Sequence, residues 1–171
     1  MLIEEKRPKV YIPYSTFEKL LEVVSVLGVL INLIMLIKYY SVLPHTIPIH
    51  FGPSGKPDDF GGKGTLFILP IAAFVLYSLL TVLSKFPHVY NYLTPITEEN
   101  AKAQYHNGRK LIIYLKTEII CIFSYIQWGT INVALGKLQG LGLTFLIVFL
   151  SLVFGTVGYF IYCSIKLNND K

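Results

Sequence analysis

Two histidines and two adjacent aspartates lie in one stretch rich in proline and glycine, LPHTIPIHFGPSGKPDDFGGKGT, at residues 43–65. Imidazole and carboxylate groups bind zinc, so these four side chains are candidate metal ligands: His45, His50, Asp58 and Asp59. The separation of the two histidines on an extended segment is not a recognised metal-binding pattern, however. A metal site is therefore one of three interpretations of this stretch.

The other two interpretations require His50 to approach Asp58 or Asp59, and they make all three side chains candidates for ligand binding or loop fastening. Residues 52–55, Gly-Pro-Ser-Gly, have the composition of a tight turn, which would return the chain along the preceding extended arm. A catalytic histidine–aspartate pair would also need a nucleophile, and the nearby hydroxyl groups, Ser54 and Thr65, belong to a turn and to a helix boundary. Alternatively, a hydrogen bond between His50 and Asp58 fastens the loop and presents it to a partner.

Lys116 and Glu118 lie within a long apolar run, where an ionisable group costs at least about 2.5 kcal/mol in a membrane. Because they are two residues apart on a helix, they point in different directions and cannot pair well with each other. We expect Lys116 to extend its side chain to the membrane surface and Glu118 to face the bundle interior. Glu118 then either has a structural partner on another helix or acts in proton or ligand handling.

Four apolar runs must position these groups: residues 20–40, 66–83, 111–135 and 141–165. Each is close to the length of about 20 residues that crosses the hydrocarbon layer as a helix. Hydrophobic residues make up 53% of the 171-residue chain and charged residues only 15%, against about 25% in soluble domains. The sequence therefore predicts one domain, residues 1–171. Its fold class is an all-α, integral membrane four-helix bundle with a Pro/Gly-rich outer loop between helices 1 and 2.

Local signals indicate where helices begin and where they contact each other. Ser15 or Thr16 can cap the first helix, with Glu18 in its first turn. Thr97 can start a helical extension, residues 97–110, before the third run. The charged first residues are unlike a cleavable signal peptide, so we expect the first helix to be retained. Small or polar residues at helical spacing indicate contact faces between helices, and this group comprises Ser25, Gly28, Asn32, Ser151 and Gly155.

The distribution of lysine and arginine predicts the orientation. Ten of these residues lie in the N-terminal segment, the second connection and the tail, whereas four lie on the side of the 43–65 loop. The positive-inside rule therefore places both termini in the cytoplasm and the loop outside. Clustering of basic residues beside the apolar runs indicates contact with the lipid bilayer rather than with nucleic acid. We expect no cofactor.

Two stretches closely resemble a small bacterial membrane family of unknown function, whose domain also forms the N-terminal part of the SdpI immunity and signalling protein. They are LPHTIPIHFGPSGKPDDFGGKG and RKLIIYLKTEIICIFSYIQWGTINVALG. The family pattern, roughly L-P-x-x-I-P-x-H-F…G-x-P-D…K, is matched at Leu43, Pro44, Ile47, Pro48, His50, Phe51, Gly55, Pro57, Asp58 and Lys63. The pattern is loose at His45. The resemblance therefore favours His50 with Asp58, and it adds Lys63 to the candidates for ligand binding or loop fastening.

The resemblance implies a multi-pass protein of the bacterial cytoplasmic membrane, with four helices rather than the larger number in SdpI. The leading expectation is a non-enzymatic protein whose outer loop senses or blocks an envelope ligand, such as a toxic peptide, or binds another membrane protein. One alternative is a small transporter or accessory subunit that uses Lys116 and Glu118. Another is a membrane enzyme or metal site at His50 and Asp58. The oligomeric state stays open.

Overall fold

The structure, a computed structural model, describes residues 7–169, and most of them are helical. The elements follow in the order α1 (Thr16–Tyr39), β1 (Thr46–Phe51), β2 (Pro57–Gly62), α2 (Ile68–Leu83), α3 (Ala101–Ala134) and α4 (Phe145–Asn169). Short 3-10 turns at Lys63–Phe67 and Pro87–Val89 precede and follow α2. The mostly helical architecture is confirmed. The description all-α is wrong, because a two-stranded sheet is present.

Four helical segments are long and apolar enough to cross a membrane: Thr16–Tyr39, Lys63–Leu83, Ala101–Ala134 and Phe145–Asn168. Their outward faces carry many exposed large apolar side chains, among them Leu27, Phe74 and Phe154. Such a surface is unfavourable in water, whereas in a bilayer it contacts lipid. These helices indicate a multi-pass membrane protein.

Helix α3 packs against each of the other three helices. α1 and α3 run in the same direction, because Glu18 near the start of α1 bonds Arg109 while Asn32, later in α1, bonds Ser124. We call the end of the bundle that carries the two strands and the α3–α4 connection the hairpin end. The opposite end, which carries residues 7–15 and the α2–α3 connection, is called the terminal end.

Within residues 43–65 the chain forms a β-hairpin, which is the sheet that the all-α prediction omitted. β1 and β2 pair in antiparallel fashion, with Thr46 opposite Gly62. The predicted turn closes the hairpin: the Gly52 N–H donates to the Lys56 carbonyl at 2.9 Å. Gly55 has a φ of +73°, in the left-handed region that glycine adopts without strain. The alternating residues of the arm and the turn were visible in the sequence, but the pairing of the two strands was not.

The hairpin lies on an apolar cluster at its end of the bundle. Ile47 on β1 is 1% exposed and packs with Leu36, Leu43, Leu66 and Ile131. These partners belong to α1, to the chain after it, to the turn before α2 and to α3. Full burial of one such side chain contributes about 1.5–3 kcal/mol, so the cluster holds the hairpin against the bundle.

The helix starts agree only partly with the sequence signals. The Ser15 cap is confirmed: its hydroxyl accepts from the Glu18 N–H (3.2 Å), and the Glu18 carboxylate accepts from the Ser15 N–H (2.7 Å). α3 begins at Ala101, later than predicted. Thr97 closes the preceding turn instead, because its hydroxyl accepts from the Asn100 N–H (3.3 Å) while the Asn100 amide oxygen accepts from the Thr97 N–H (2.8 Å).

Candidate functional site

The structure brings His50 and Asp58 together on the hairpin. His50 Nδ1 lies 2.5 Å from Asp58 Oδ1, and the two side chains are 67% and 52% exposed. An ion pair at such exposure contributes only about 0–1 kcal/mol. The pair therefore adds little to the stability of the hairpin and leaves polar atoms available to a ligand.

The other two candidate metal ligands do not join this pair. Asp59 accepts a hydrogen bond from the adjacent Phe60 N–H at 2.8 Å. His45 bonds through its backbone carbonyl, which accepts from the Lys63 N–H at 2.9 Å. Within residues 7–169, no three His, Cys, Asp or Glu side chains are grouped so that they could hold a metal ion. The geometry therefore gives a metal site at the hairpin no support.

Lys63 joins the base of the hairpin to the end of α1. Its ammonium group donates to the carbonyls of Tyr40 (3.1 Å) and Leu43 (3.4 Å). It also lies 4.9 Å from the centre of the Tyr40 ring, within the range of a cation–π contact. Through these bonds to backbone carbonyls, Lys63 attaches the base of the hairpin to the end of α1. It does not contact the His50–Asp58 pair.

The tip of the hairpin is fixed to the α3–α4 connection, which the sequence did not indicate. The Leu141 N–H donates to the Gly55 carbonyl at 2.7 Å. A Cβ on Gly140 would lie 2.1 Å from the Gly55 oxygen, and one on Gly55 would lie 2.3 Å from the Gly142 oxygen. Only glycine lets two backbones approach this closely, so these residues define the contact.

A cavity of about 480 Å³ lies between the hairpin and the helices. Its walls are mostly apolar and come from β1, α2, α3 and the start of α4, with the principal side chains Ile47, Ile49, Phe51, Leu69, Ile126 and Phe145. His50 also borders it, together with the hydroxyl-bearing residues Thr65 and Thr130. The cavity therefore combines mostly apolar walls with the exposed His50 at its border, and His50 in turn contacts Asp58.

A second group of polar residues lies between α1 and α3, and we call it the α1–α3 seam. Listed from the terminal end to the hairpin end, it comprises Glu18 with Arg109, Glu22 with Lys116, Ser25 with Thr117, and Asn32 with Ser124 and Gln127. Gly28 lies within it, where a Cβ would be only 2.6 Å from Ile120 Cγ2. The predicted contact face of α1 thus packs against α3.

Arg109 is buried and fully engaged at the terminal end of the α1–α3 seam. Its Nε donates to Glu18 Oε1 at 3.0 Å, and its terminal nitrogens donate to the carbonyls of Ile12 (2.6 Å) and Pro13 (2.8 Å). The guanidinium carbon also lies 4.5 Å from the centre of the Tyr14 ring. Arg109 is therefore a structural centre that joins residues 12–14, α1 and α3, rather than a free charge at the membrane surface.

Lys116 does not extend to the membrane surface, so that expectation is wrong. Its side chain is 0% exposed, and its ammonium group donates to both Glu22 oxygens at 2.6 and 2.7 Å. It also donates to the Thr81 hydroxyl on α2 (2.8 Å) and lies 4.9 Å from the centre of the Tyr77 ring. A carboxylate within the bundle satisfies the charge, so the side chain does not need to reach water.

Glu118 faces α4 rather than the α1–α3 seam. The Thr156 hydroxyl donates to Glu118 Oε1 at 2.5 Å. The other oxygen, Oε2, is buried and has no hydrogen-bond partner among the described residues. The nearby Tyr125 hydroxyl donates to the Leu141 carbonyl instead (2.8 Å). Glu118 is thus a carboxyl group with one structural partner and one unsatisfied oxygen.

The predicted contact residues of α4 do not contact another helix of this chain. Ser151 and Gly155 are exposed, and a Cβ on Gly155 would meet no atom within 4 Å. These two residues therefore form no seam with another helix within residues 7–169, and packing of this face against another chain stays a prediction. Small residues at helical spacing indicate a helix face that can pack closely. They do not indicate whether that face points toward the other helices of the bundle.

Glu18, Glu22 and Arg109 are the residues that sequence reasoning missed. A signal was present: Glu18, Glu22, Ser25 and Asn32 are separated by four, three and seven residues, which places them on one face of α1. The sequence alone indicates for Arg109 only a charge near the membrane surface, and for Glu18 only a position in the first helical turn. Their pairing depends on the parallel alignment of α1 and α3.

Tyrosines close the terminal end of the bundle. The Tyr90 hydroxyl donates to the Leu83 carbonyl (2.9 Å), and the Tyr92 hydroxyl donates to the Pro87 carbonyl (2.8 Å). Burial raises the pKa of both phenols above their ordinary value, so both remain protonated donors at neutral pH. They hold the α2–α3 connection against the end of α2.

Comparison with known proteins adds a family for part of the chain. Residues 27–74 match the model of the family described as "Domain of unknown function (DUF1648)". A segment of 46 residues is 41% identical to an uncharacterized protein of Archaeoglobus fulgidus, covering 27% of this chain and 25% of that relative. The chain thus matches about a quarter of the length of that relative. No solved structure matches the chain.

The family match coincides with the hairpin end of the bundle. Residues 27–74 contain the second half of α1, both strands and the first part of α2. The matched segment therefore includes His50, Asp58 and Lys63, whereas it excludes Arg109, Lys116 and Glu118. The match supports a domain of this family in the part of the chain that forms the hairpin.

Proposed function

We propose that this is a non-enzymatic membrane protein that senses or blocks an amphipathic ligand of the cell envelope, such as a toxic peptide, in the cavity beneath the hairpin. The observation that carries the proposal is the cavity itself, about 480 Å³ in volume, mostly apolar and bordered by the exposed imidazole of His50, which contacts Asp58. Ligand sites usually enclose about 300–1,000 Å³ and combine apolar walls with few polar groups. The resemblance to the N-terminal part of SdpI agrees with a peptide ligand.

The arrangement suits binding better than catalysis. The Thr65 hydroxyl, which lines the cavity, donates to the Gly62 carbonyl at 3.0 Å and is not bonded to His50. A catalytic pair would need such a nucleophile within hydrogen-bond distance of the imidazole. Apolar side chains of a peptide can enter the cavity, while its polar groups bond His50 and Asp58 at the border.

We further propose that the protein lies in the bacterial cytoplasmic membrane with the hairpin outside and both termini inside. Arg109 is buried in an ion pair and no longer counts as a surface charge. The positive-inside comparison then becomes nine residues against four, which keeps the same direction. This orientation exposes the cavity to ligands that arrive from outside the cell.

A photoreactive residue at Phe51 in living cells tests the cavity. Phe51 lines the cavity and belongs to the hairpin. We expect an adduct of peptide mass, identified by mass spectrometry. Leu69→Trp should abolish this adduct because it fills the cavity from α2. Ile71→Trp is the matched control, because Ile71 lies on the same helix and is 59% exposed on its outward side.

Two outcomes would reject the proposal. One is the absence of any peptide adduct at Phe51. The other is an adduct that persists unchanged in Leu69→Trp, which would place the ligand outside the cavity. Loss of the adduct in both tryptophan variants would point to damage to α2 and would also count against the cavity.

A second candidate function is a small transporter or accessory subunit that uses Glu118. The specific observation is the buried Glu118 Oε2 without a hydrogen-bond partner among the described residues. Lys116 is already neutralised by Glu22, so Glu118 is the more suitable of the two for binding a proton or cation. The proposal requires Glu118 to exchange a proton with at least one membrane surface.

Proton flux into proteoliposomes, followed with an enclosed pH-sensitive dye, tests this second function. We expect Glu118→Gln to reduce the flux to that of empty vesicles. Glu98→Gln, on the exposed α2–α3 connection, should leave it unchanged. Wild-type protein that adds no flux to empty vesicles would end the transporter interpretation and leave the hairpin proposal unaffected.

A further inference from the structure

A separate cavity lies at the terminal end of the bundle, between α3 and the last turns of α4. It has a volume of about 420 Å³. Its basic side chains are His106 and Lys110 from α3 and Lys166 from α4. This position is at the opposite end from the hairpin, so the cavity is distinct from the site of the proposed function. We call it the basic groove.

The two lysines of the basic groove lack the carboxylate partners that the two buried cations have. Arg109 and Lys116 pair with Glu18 and Glu22. Within residues 7–169, neither Lys110 nor Lys166 takes part in an ion pair, and no aspartate or glutamate lines the groove. The groove therefore presents uncompensated positive charge at the end of a membrane-spanning helix pair.

His106 lies beside the two lysines in the groove and does not compensate their charge. Its Nε2 lies 3.8 Å from Glu18 Oε2, and that carboxylate is already bonded by Arg109 at 3.0 Å. Glu18 is 0% exposed, so it does not reach the groove itself. An anion in the groove would thus meet two lysines and one imidazole, while Glu18 is engaged by Arg109.

Apolar and aromatic side chains also line the basic groove. Phe160 is 5% exposed, and its ring lies 5.2 Å from that of Tyr114, measured between ring centres. Leu167 contributes to the same wall. On α4, Tyr159 and Tyr162 are each 63% exposed beside the groove, in the region where tyrosine typically lies between headgroups and acyl chains. A ligand must therefore combine an anionic group with a hydrocarbon part.

We propose that the basic groove binds the phosphate headgroup of an anionic phospholipid, with its acyl chains along the outward face of α4. Basic pockets between membrane helices bind such headgroups because lysines attract phosphate while the neighbouring apolar surface contacts the chains. A free phosphate would use the lysines but not the apolar side chains beside them. The geometry therefore favours a lipid, and the site is independent of the hairpin cavity.

Native mass spectrometry of the full chain in detergent tests this assignment. Phosphatidylglycerol and phosphatidylcholine with identical acyl chains are titrated onto the wild-type protein, and the bound fractions are compared. We expect tighter retention of phosphatidylglycerol. The variant Lys110→Gln/Lys166→Gln should weaken it roughly thirtyfold, as expected for the loss of two surface lysine–phosphate attractions.

The matched control is Lys85→Gln/Lys102→Gln, which removes the same charge from the terminal end but outside the groove. Both of these lysines are exposed. The control should retain phosphatidylglycerol as the wild type does. If both double variants weakened the retention of phosphatidylglycerol equally, the proposal would be overturned. The lipid would then be attracted by the total positive charge of the terminal end and not by the basic groove.

Two measurements on the wild-type protein show whether the ligand is an anionic lipid, and they do not require the double variant. Wild-type protein that binds phosphatidylcholine as tightly as phosphatidylglycerol would overturn the proposal. Displacement of the lipid by glycerol phosphate at equal concentration would show a site for the free anion and would also overturn it. If the double variant fails to fold, Lys166→Gln alone replaces it, because Lys166 is exposed and its removal leaves packing unchanged.

Discussion

The α1–α3 seam and the interface between α3 and α4 differ in how they treat polar groups. In the α1–α3 seam, two ion pairs and several hydrogen bonds follow one another from the terminal end toward the hairpin end. In the α3–α4 interface, the polar contacts are those of Gln104 with Ser164, Asn107 with the Phe160 carbonyl, and Glu118 with Thr156. Among these contacts Glu118 is the one ionisable side chain, and it forms no ion pair within residues 7–169.

The difference shows which helices form the fixed part of the bundle. Removal of one partner from a buried ion pair leaves an uncompensated charge, so the α1–α3 arrangement is strongly specified. α4 packs mainly through apolar contacts, and most of its side chains are exposed. Inside a membrane, apolar contacts between helices bring no hydrophobic gain over contacts with lipid. α4 is therefore the helix whose position the rest of the chain determines least.

Arg109→Met should produce the largest loss of stability. It leaves Glu18, which is 0% exposed, as an unpaired buried carboxylate and removes donors from the Ile12 and Pro13 carbonyls. We expect a cost of about 3–5 kcal/mol in the free energy of unfolding, measured by denaturation in mixed detergent micelles. Lys102→Met, exposed on the same helix, should change it little. If Arg109→Met left the free energy of unfolding nearly unchanged, buried ion pairs would not distinguish the α1–α3 seam from the α3–α4 interface.

Lys116→Met should have a smaller effect, because Glu22 retains 20% side-chain exposure. We expect a loss of about 2–3 kcal/mol, again from an unpaired carboxylate. The double variant Glu22→Gln/Lys116→Met should recover a large part of this loss, since neither charge then remains buried. A double-mutant cycle in the same micelles measures the coupling. Strictly additive losses would show that the two side chains do not interact in the membrane.

Gly28→Ala should cost less again and is compared with Gly155→Ala. A methyl group on Gly28 would lie 2.6 Å from Ile120 Cγ2, whereas one on Gly155 would meet no atom within 4 Å. We expect about 1–3 kcal/mol of destabilisation at Gly28 from overpacking. At Gly155, alanine should be neutral or stabilise the helix by up to about 1 kcal/mol. The unfolding free energies of the two variants give the comparison, and a larger cost at Gly155 would reveal a contact of α4 outside this chain.

Much of the fold follows from local properties of the sequence. Four apolar runs of sufficient length predicted the four membrane helices, and Ser15 followed by Glu18 predicted the start of α1. The turn at residues 52–55 predicted the chain reversal that brings His50 to Asp58. Each of these depends on residues that are close in the chain, where spacing alone determines geometry.

The parts that could not be predicted depend on how distant elements are oriented. The pairing of Glu22 with Lys116 requires that α1 and α3 lie side by side, in parallel and with one particular rotation. Ser151 and Gly155 point outward because of how α4 is rotated about its axis. The spacing of small residues does not determine that rotation. Likewise, no local pattern indicates that Gly55 meets Leu141.

The hydrogen bond from the Leu141 N–H to the Gly55 carbonyl has a mechanical consequence. It joins the hairpin to the connection that leads directly into α4, which begins at Phe145. A ligand that displaced the hairpin would therefore pull on the first turn of the least constrained helix. The last turns of α4, with Lys166, lie at the terminal end, so this bond links the hairpin mechanically to the opposite end of the bundle.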